Sequence, residues 1–465
     1  MHPMRKKIAR LSTGMMSMLI LASCTILPAP DHAVLMQAAL SQVRFPANWT
    51  YARSAGEFDA ATLGFALPPE VLLLIHEAQA HNPDLHLAAL RVEQSHSAVK
   101  AAGAALYPTL GLGGQTGDAA IPTSSLAMNG LAVVSNWEVD IWGKARSSQA
   151  ASRELSLAAE LDALYARQSI AATVVRGWLV AIEAQQQIKQ VQVMAGLAEK
   201  QLALIQNSRK IGRNTKQDVV MNQIVLKNYR LQLLQSEQAF NSARRALEIL
   251  LGRYPAAEVA VAHALPRELQ PIPAGLPSAL AERRPDLRAA ENRFRAAFYQ
   301  VEVAKKARLP SISLMAGLGV VDNSLLILQK DLSNPLWGVN GRLLAPVFMG
   351  GVLDAQVEVK TAQQQESAVG YAKAVLNALA EIEGGLYAEL KLAECSTLIN
   401  TLIADQQQLI DLQHVLIKVG KGDQYQLQQQ QLNLAASQMS LFRLQSERLI
   451  QRVNLHLALG GIYPL

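Results

Sequence analysis

Aromatic side chains are scarce in this 465-residue sequence: eight Phe, five Trp and ten Tyr amount to 5% of it. So few rings speak against an ordinary globular core, and against a surface that stacks nucleic-acid bases. Charge is thin as well. The 43 basic and 37 acidic residues leave a net +6 spread along the chain. No Lys/Arg run is dense enough to neutralise a phosphate backbone. Only two cysteines are present, Cys24 and Cys395, so a disulfide framework is excluded; Cys395, inside a helical pattern, is expected to be a small buried apolar residue. Long apolar runs are missing too. The nearest, "SIAATVVRGWLVAI" from Ser169, is cut by Arg176 and falls short of the roughly 18 residues that a spanning helix needs. What abounds is Ala, Leu, Gln and Glu, a composition that favours long helices.

The N-terminus reads as an export segment. Arg5, Lys6, Lys7 and Arg10 precede a short apolar stretch from about Met15 to Ala22, which is the order of a signal peptide over residues 1–23. That stretch ends in "LASC", Leu21 to Cys24. This tetrapeptide resembles the bacterial lipobox, after which the resemblance implies cleavage before Cys24 and lipidation of the new N-terminus, with palmitate among its acyl chains. Thr25 is not the aspartate that retains such lipoproteins at the inner membrane. Pro28 and Pro30 suit a tether, and residues 24–68 form the anchored N-terminal segment.

Beyond this point the chain says everything twice. Pro83 and Pro285 stand 202 residues apart, as do Pro108 and Pro310. Trp142 of "VDIWGKA" and Phe348 of "APVFMGG" are 206 apart; Gly212 and Gly420, then Gly252 and Gly460, are 208 apart. Five landmark pairs in one order, drifting by so little, indicate a tandem duplication. The first repeat covers residues 69–252, a linker 253–275, the second repeat 276–460 and a tail 461–465.

Within each repeat the hydrophobic period changes. Residues 69–105 read as one helix, and a proline then introduces alternation. In "LAVVSNWEVDI", Leu131, Val133, Ser135, Trp137, Val139 and Ile141 share one face, while Asn136, Glu138 and Asp140 share the other with Ala132 and Val134. The second repeat does the same: Ile312, Leu314, Ala316, Leu318 and Val320 line one face, and Val339, Leu343 and Val347 oppose Asn340 and Arg342. Each repeat thus holds two strands, at about 108–141 and 310–348, near the ten residues of a tilted membrane strand. Long helices follow. No proline occurs from Gly351 to Ile417, a stretch on the order of 100 Å as a helix. Leu398, Leu402, Leu409, Leu412, Leu416 and Val419 recur at coiled-coil spacing, and Val219, Leu226, Leu233, Phe240 and Leu247 recur every seven, so both helices are expected to pack lengthwise on neighbours. Turns at Gly212 and at Gly420 to Gly422 fold each long helix into a hairpin.

Four strands cannot close a membrane barrel, because barrels begin at about eight, and an open sheet leaves unpaired backbone groups in lipid. The strands must be pooled among copies. Two copies give a barrel filled by side chains; three give an aqueous lumen, which the polar Asn136, Glu138, Asp140, Asn340 and Arg342 favour.

The doubled unit, the strand starts "LYPTLGL" and "LPSISL", the segment "RRPDLRAAE" and the paired turns "IGRNT" and "VGKGD" resemble the TolC-type outer-membrane efflux proteins, in particular the lipidated branch that serves resistance-nodulation-division drug pumps. The resemblance covers the chain after about residue 60. It implies an α+β membrane protein: a homotrimer with a 12-stranded β-barrel, continued through an equatorial mixed region into a long α-helical barrel across the periplasm. It further implies a passive outer-membrane exit channel for drugs or other small toxic solutes, with a periplasmic membrane-fusion adaptor and an inner-membrane pump as partners. Adaptor contacts map to the hairpin tips, Lys210, Ile211, Gly212, Arg213, Asn214 and Thr215 in one and Val419, Gly420, Lys421, Gly422 and Asp423 in the other. Related members place an acidic residue two positions after the second tip glycine; here that position is Gly422 and the acid is Asp423. A gate formed by Asp423 and Tyr425 is therefore set beside a plainer reading, in which Asp423 caps the next helix.

Enzymatic readings find little. "HEAQAH" puts His76 and His81 five apart, off a common helical face and one residue too far for a zinc-protease motif. "GLGGQTG" lacks the Lys-Ser/Thr of a phosphate loop. No catalytic group, metal site, cofactor or nucleic-acid partner is expected. The alternatives are a conduit for type I protein secretion and a soluble periplasmic coiled-coil adaptor; the latter leaves the four strands without a purpose.

Overall fold

A computed structural model describes residues 63–115, 118–121, 124–262, 264–266, 280–323 and 336–463, with isolated positions among 34–51 and 270–277. The export segment 1–23 and the lipidation site Cys24 lie outside the described residues. In chain order the elements are α1 (Pro69–His81), α2 (Pro83–Ala104), β1 (Thr109–Gln115), β2 (Asp118–Ile121), β3 (Ser124–Val139), α3 (Lys144–Lys210), α4 (Lys216–Leu250), α5 (Leu280–Arg283), α6 (Pro285–Lys306), β4 (Ser311–Asn323), β5 (Leu336–Leu344), α7 (Val352–Lys418) and α8 (Gln424–Ala458). The helices of the two halves match one for one, while three strands in the first stand against two in the second. Helices α2 and α6 both have 22 residues, α3 and α7 both have 67, and α4 and α8 both have 35.

The helix expected over residues 69–105 is two helices. Asn82 leaves the helical region, and its Oδ1 accepts the N–H groups of Asp84 at 2.9 Å and Leu85 at 3.2 Å. Pro83 follows as the first residue of α2, where its missing N–H costs nothing. Asn82 Nδ2 also donates to the Leu250 carbonyl at 2.9 Å, tying the cap to the last turn of α4. Arg284 stands at the matching place in the second repeat. Its guanidinium donates to the Ala458 carbonyl at 3.1 Å and pairs with Asp286 at 2.8 Å and Glu381 at 2.7 Å. The chain leaves α4 through Gly252, whose φ is +72°. A Cβ there would lie 2.5 Å from the His81 carbonyl oxygen, so only glycine fits.

Two compact units emerge. One comprises residues 44–89, 162–286 and 375–465; the other holds 90–161 and 287–374. The core of the former is built on the apolar run seen in the sequence. Val174, Val175, Trp178 and Ile182 of α3 pack with Val71 and Ile75 of α1, Leu247 of α4, Val453 of α8, and Tyr463. Arg176, which interrupts that run, donates to Asn454 Oδ1 and Thr173 Oγ1, both at 2.7 Å, so its charge enters the structure with acceptors in place. Among the described residues no helix is long and apolar enough to cross a membrane.

The two heptad stripes behave differently. On α4, Val219, Leu226 and Leu247 are buried within the chain. On α7, Leu398, Leu402, Leu409, Leu412, Leu416 and Val419 are 69%, 47%, 51%, 53%, 42% and 61% exposed. Cys395 on the same helix is also exposed, contrary to expectation: nothing in the single chain covers this face of α7.

The other unit carries the sheet. Its order is β1-β3-β4-β5, all antiparallel, and β2 continues the line of β1 along β3. Thr109 to Gln115 pair with Asn136 to Gly130, and Asp118 to Ile121 with Ala127 to Ser124. The chain therefore fills four strand positions, and β1 and β5 are left as edges.

Candidate channel wall and hairpin tips

In an antiparallel sheet, directly paired residues point to the same side. Register therefore assigns each face without further assumption. Asn136 pairs with Met315, which pairs with Asn340; Glu138 pairs with Ser313, which pairs with Arg342. The four polar residues read from two distant segments thus share one face, joined by Thr109 opposite Asn136. The opposite face is apolar. Trp137 pairs with Leu314, Val139 with Ile312 and then Leu343, and Val133 with Leu112 on one side and Leu318 on the other, followed by Trp337. Exposure of Leu112, Leu318, Trp337, Val339 and Leu343 ranges from 51% to 78%. A sheet of this kind presents grease on one side and hydrogen-bonding groups on the other.

Asp140 does not belong to the polar row. Strand β3 ends at Val139, and the Asp140 carboxylate turns to the start of α3, where it accepts the N–H groups of Ala145 and Arg146, each at 3.0 Å. Arg146 Nε adds an ion pair at 3.1 Å. Burial pushes this carboxyl up, but the backbone donors and Arg146 outweigh it and hold it below the ordinary range. The first N–H groups of a helix lack intrahelical acceptors, and that need captures the carboxylate. Glu138 stays in the row but is paired, with Lys144 Nζ at 2.6 Å. Lys144, Ser313 and Met315 were not singled out from the sequence; pairing β4 against β3 through the alternation of both would have found the last two.

The hairpin tips lie in the unit built on α3, α4, α7 and α8. Helix α3 ends in a Schellman turn: Arg213 N–H reaches the Ser208 carbonyl at 2.9 Å and Gly212 N–H the Arg209 carbonyl at 3.0 Å, with Gly212 at φ +75°. Helix α7 ends the same way, Lys421 N–H to Leu416 at 2.9 Å and Gly420 N–H to Ile417 at 3.1 Å, with Gly420 at φ +73°. Gly422 is fixed by crowding instead, since a Cβ there would meet Ile417 N at 2.6 Å. Each returning helix is then capped. Thr215 and Asp218 form a reciprocal capping box, Thr215 N–H to Asp218 Oδ2 at 2.7 Å and Asp218 N–H to Thr215 Oγ1 at 3.2 Å. At the matching position of the second repeat stands Asp423, whose Oδ1 accepts the Tyr425 N–H at 2.9 Å. Asp423 is a helix cap, as the plainer reading had it. The "TKQD" spacing was a legible signal for the first box; Gln413, buried and donating to the Asp423 carbonyl at 3.0 Å, had none.

The two tips meet. Arg213, Asn214 and Asp218 from one and Asp423, Tyr425 and Gln429 from the other line a cleft of about 540 Å³. Ile211 and Val419 are 69% and 61% exposed, so each tip offers an uncovered aliphatic side chain beside Lys210 and Lys421, both exposed.

These features have counterparts in known proteins. The sequence pattern of the family described as "Outer membrane efflux protein" matches residues 74–253 and 276–461. The pyoverdine export outer membrane protein OpmQ of Pseudomonas aeruginosa is 28% identical over 463 residues, covering 95% of each chain. The cation efflux system protein CusC of Escherichia coli is 24% identical over 452 residues, covering 95% of this chain and 97% of that one. Among solved structures, the outer-membrane channel OprN superposes with a TM-score of 0.80 at 22% identity, covering 94% of this chain and 99% of that one. The open state of the MtrE outer membrane channel of Neisseria gonorrhoeae gives 0.79 at 22% identity, over 94% and 97%. Those two likenesses establish the fold. The family match covers both repeats, and the chain belongs to the outer membrane efflux protein family.

Proposed function

We propose that this chain, a subunit of an outer-membrane efflux channel, assembles as a homotrimer and serves as the passive exit duct of a tripartite pump for drugs or other small toxic solutes. The observation that carries this reading is the sheet: four strand positions, one apolar face, one polar face, and bare edges at β1 and β5. In lipid, each unpaired backbone group at an edge costs several kcal/mol. Joining β5 of one copy to β1 of the next removes those edges, and three copies give about twelve strands around an aqueous lumen. The apolar face then meets lipid, and Asn136, Glu138, Asn340 and Arg342 face water inside. The α7 stripe supports the same assembly, because six half-exposed aliphatic residues need a neighbouring copy to cover them.

In this reading the segment 1–23 is removed, Cys24 carries the lipid, and residues 69–252 and 276–460 are the two repeats. A periplasmic adaptor docks on the tips around Ile211 and Val419 and brings the inner-membrane pump. Relatives are named for pyoverdine export and for cation efflux; such different cargoes suit a duct whose pump does the choosing. The test is direct. The mature chain, purified in detergent, is expected to run as a trimer in native mass spectrometry and to conduct ions in a planar bilayer. A monomer that needs no detergent after Cys24→Ala and carries no current would overturn the proposal.

A further inference from the structure

Among the described residues, the polar face of the sheet carries a charge that nothing neutralises. Across the described residues of β1, β3, β4 and β5, the residues on that face include two ionisable groups, Glu138 and Arg342. Glu138 is held by Lys144 Nζ at 2.6 Å, so that pair contributes no net charge. Arg342 has no hydrogen bond or ion pair among the described residues, and it is exposed. Glu138 does not serve it. The two sit on β3 and β5 with Ser313 of β4 between them, their backbones on the order of 10 Å apart, and the Glu138 carboxylate is engaged by Lys144 instead. The other neighbours of Arg342 on this face are Asn340, Ser311, Ser313 and Leu344, none of them charged.

We infer that Arg342 is a selectivity residue, and that the barrel favours the passage of anionic solutes over cationic ones at its level. The inference rests on the trimeric channel reading above. Three copies place three uncompensated guanidinium groups around one aqueous ring. A ring of like charge in a low-dielectric wall raises the local concentration of counter-ions and repels ions of its own sign. Carboxylate or sulfonate solutes, and chloride as their simplest probe, are the species it admits. The ring sorts by charge alone, so it biases rather than selects among anions of one size.

The experiment is reversal-potential measurement on the purified full-length channel in planar bilayers under a KCl gradient. Wild type is expected to show anion preference. Arg342→Lys keeps it, Arg342→Gln lowers the chloride-to-potassium permeability ratio several-fold, and Arg342→Glu inverts it, while trimer content stays unchanged for all three. The same set in an Asp423→Asn background removes that carboxylate as a competing determinant at the tip. A conducting wild type without anion preference in both backgrounds, or a preference that survives Arg342→Glu, overturns this inference and leaves the channel reading intact. Absence of any conductance overturns both.

Discussion

At the scale of single residues, the most informative side chain outside the channel wall is Glu248. It is buried, yet its carboxylate is fully engaged: Ala257 N–H at 2.6 Å, Glu258 N–H at 2.5 Å and Val259 N–H at 2.9 Å. The three donors form a concave nest just after α4, and Ala257 sits there at φ +63°, a region that costs an L-residue about 1–2 kcal/mol. Burial pushes the carboxyl up; the three backbone donors outweigh it, and the folded-state value lies below the ordinary one. A group depressed in the folded state stabilises fully above its unfolded value, near 4.3 for Glu, and loses that contribution as pH falls through the folded value. Glu248→Gln is expected to cost roughly 1–3 kcal/mol at neutral pH and to flatten the acid limb of the melting curve. Equal melting of variant and parent at pH 7 and in acid would show the nest to be held by other contacts. Nothing in the sequence marked Glu248, because its acceptors' partners lie nine to eleven residues on in an irregular segment. Arg176 shows the converse: its place inside an apolar run was legible, but Asn454, its partner 278 residues away, was not.

At the scale of elements, the hairpin tips were the most legible feature, and for a physical reason. A helix of 67 residues that must reverse in a few positions needs a left-handed residue and a new cap, and Gly212-to-Thr215 and Gly420-to-Asp423 supply both at matching positions. Alternation was equally plain in the strands, since each residue's face follows from parity alone. What parity missed was the end of β3: Asp140 kept the alternation but was drawn to the orphan N–H groups of α3. Likewise residues 69–105 kept helical spacing through Asn82, where the cap breaks it. Capping also separates two roles for Asp423. Asparagine caps as well as aspartate, whereas alanine costs about 1 kcal/mol. Asp423→Asn should therefore retain tip stability, and Asp423→Ala should loosen it, read as faster amide exchange over residues 424–430. If the carboxylate also constricts the pore, both variants raise leak conductance. Should Asp423→Asn leave conductance at the wild-type level, the residue is a cap and nothing more.

At the scale of the whole molecule, duplication explains why one chain carries two strand hairpins and two helical hairpins of equal length, and why it still ends incomplete. Towards its tip the first repeat buries Val191, Met194, Ala198 and Ile205 of α3 within the chain; the second leaves Leu398, Leu402, Leu409, Leu412 and Leu416 of the equivalent helix α7 largely uncovered. Two copies of one ancestral hairpin would be expected to treat their stripes alike, so the asymmetry points to a partner surface supplied from outside the chain. Each leucine gains about 1.5–3 kcal/mol on full burial, and half of that remains available to association. Leu402→Asp together with Leu409→Asp is expected to leave the isolated chain folded, since neither side chain is buried in it, with unchanged far-ultraviolet helical signal. The same pair should shift native mass spectra from trimer towards monomer, because each copy would then bring two carboxylates into an apolar seam. A trimer that withstands both substitutions would mean that the α7 stripe faces something other than a sister subunit, and that the sheet edges alone hold the assembly together.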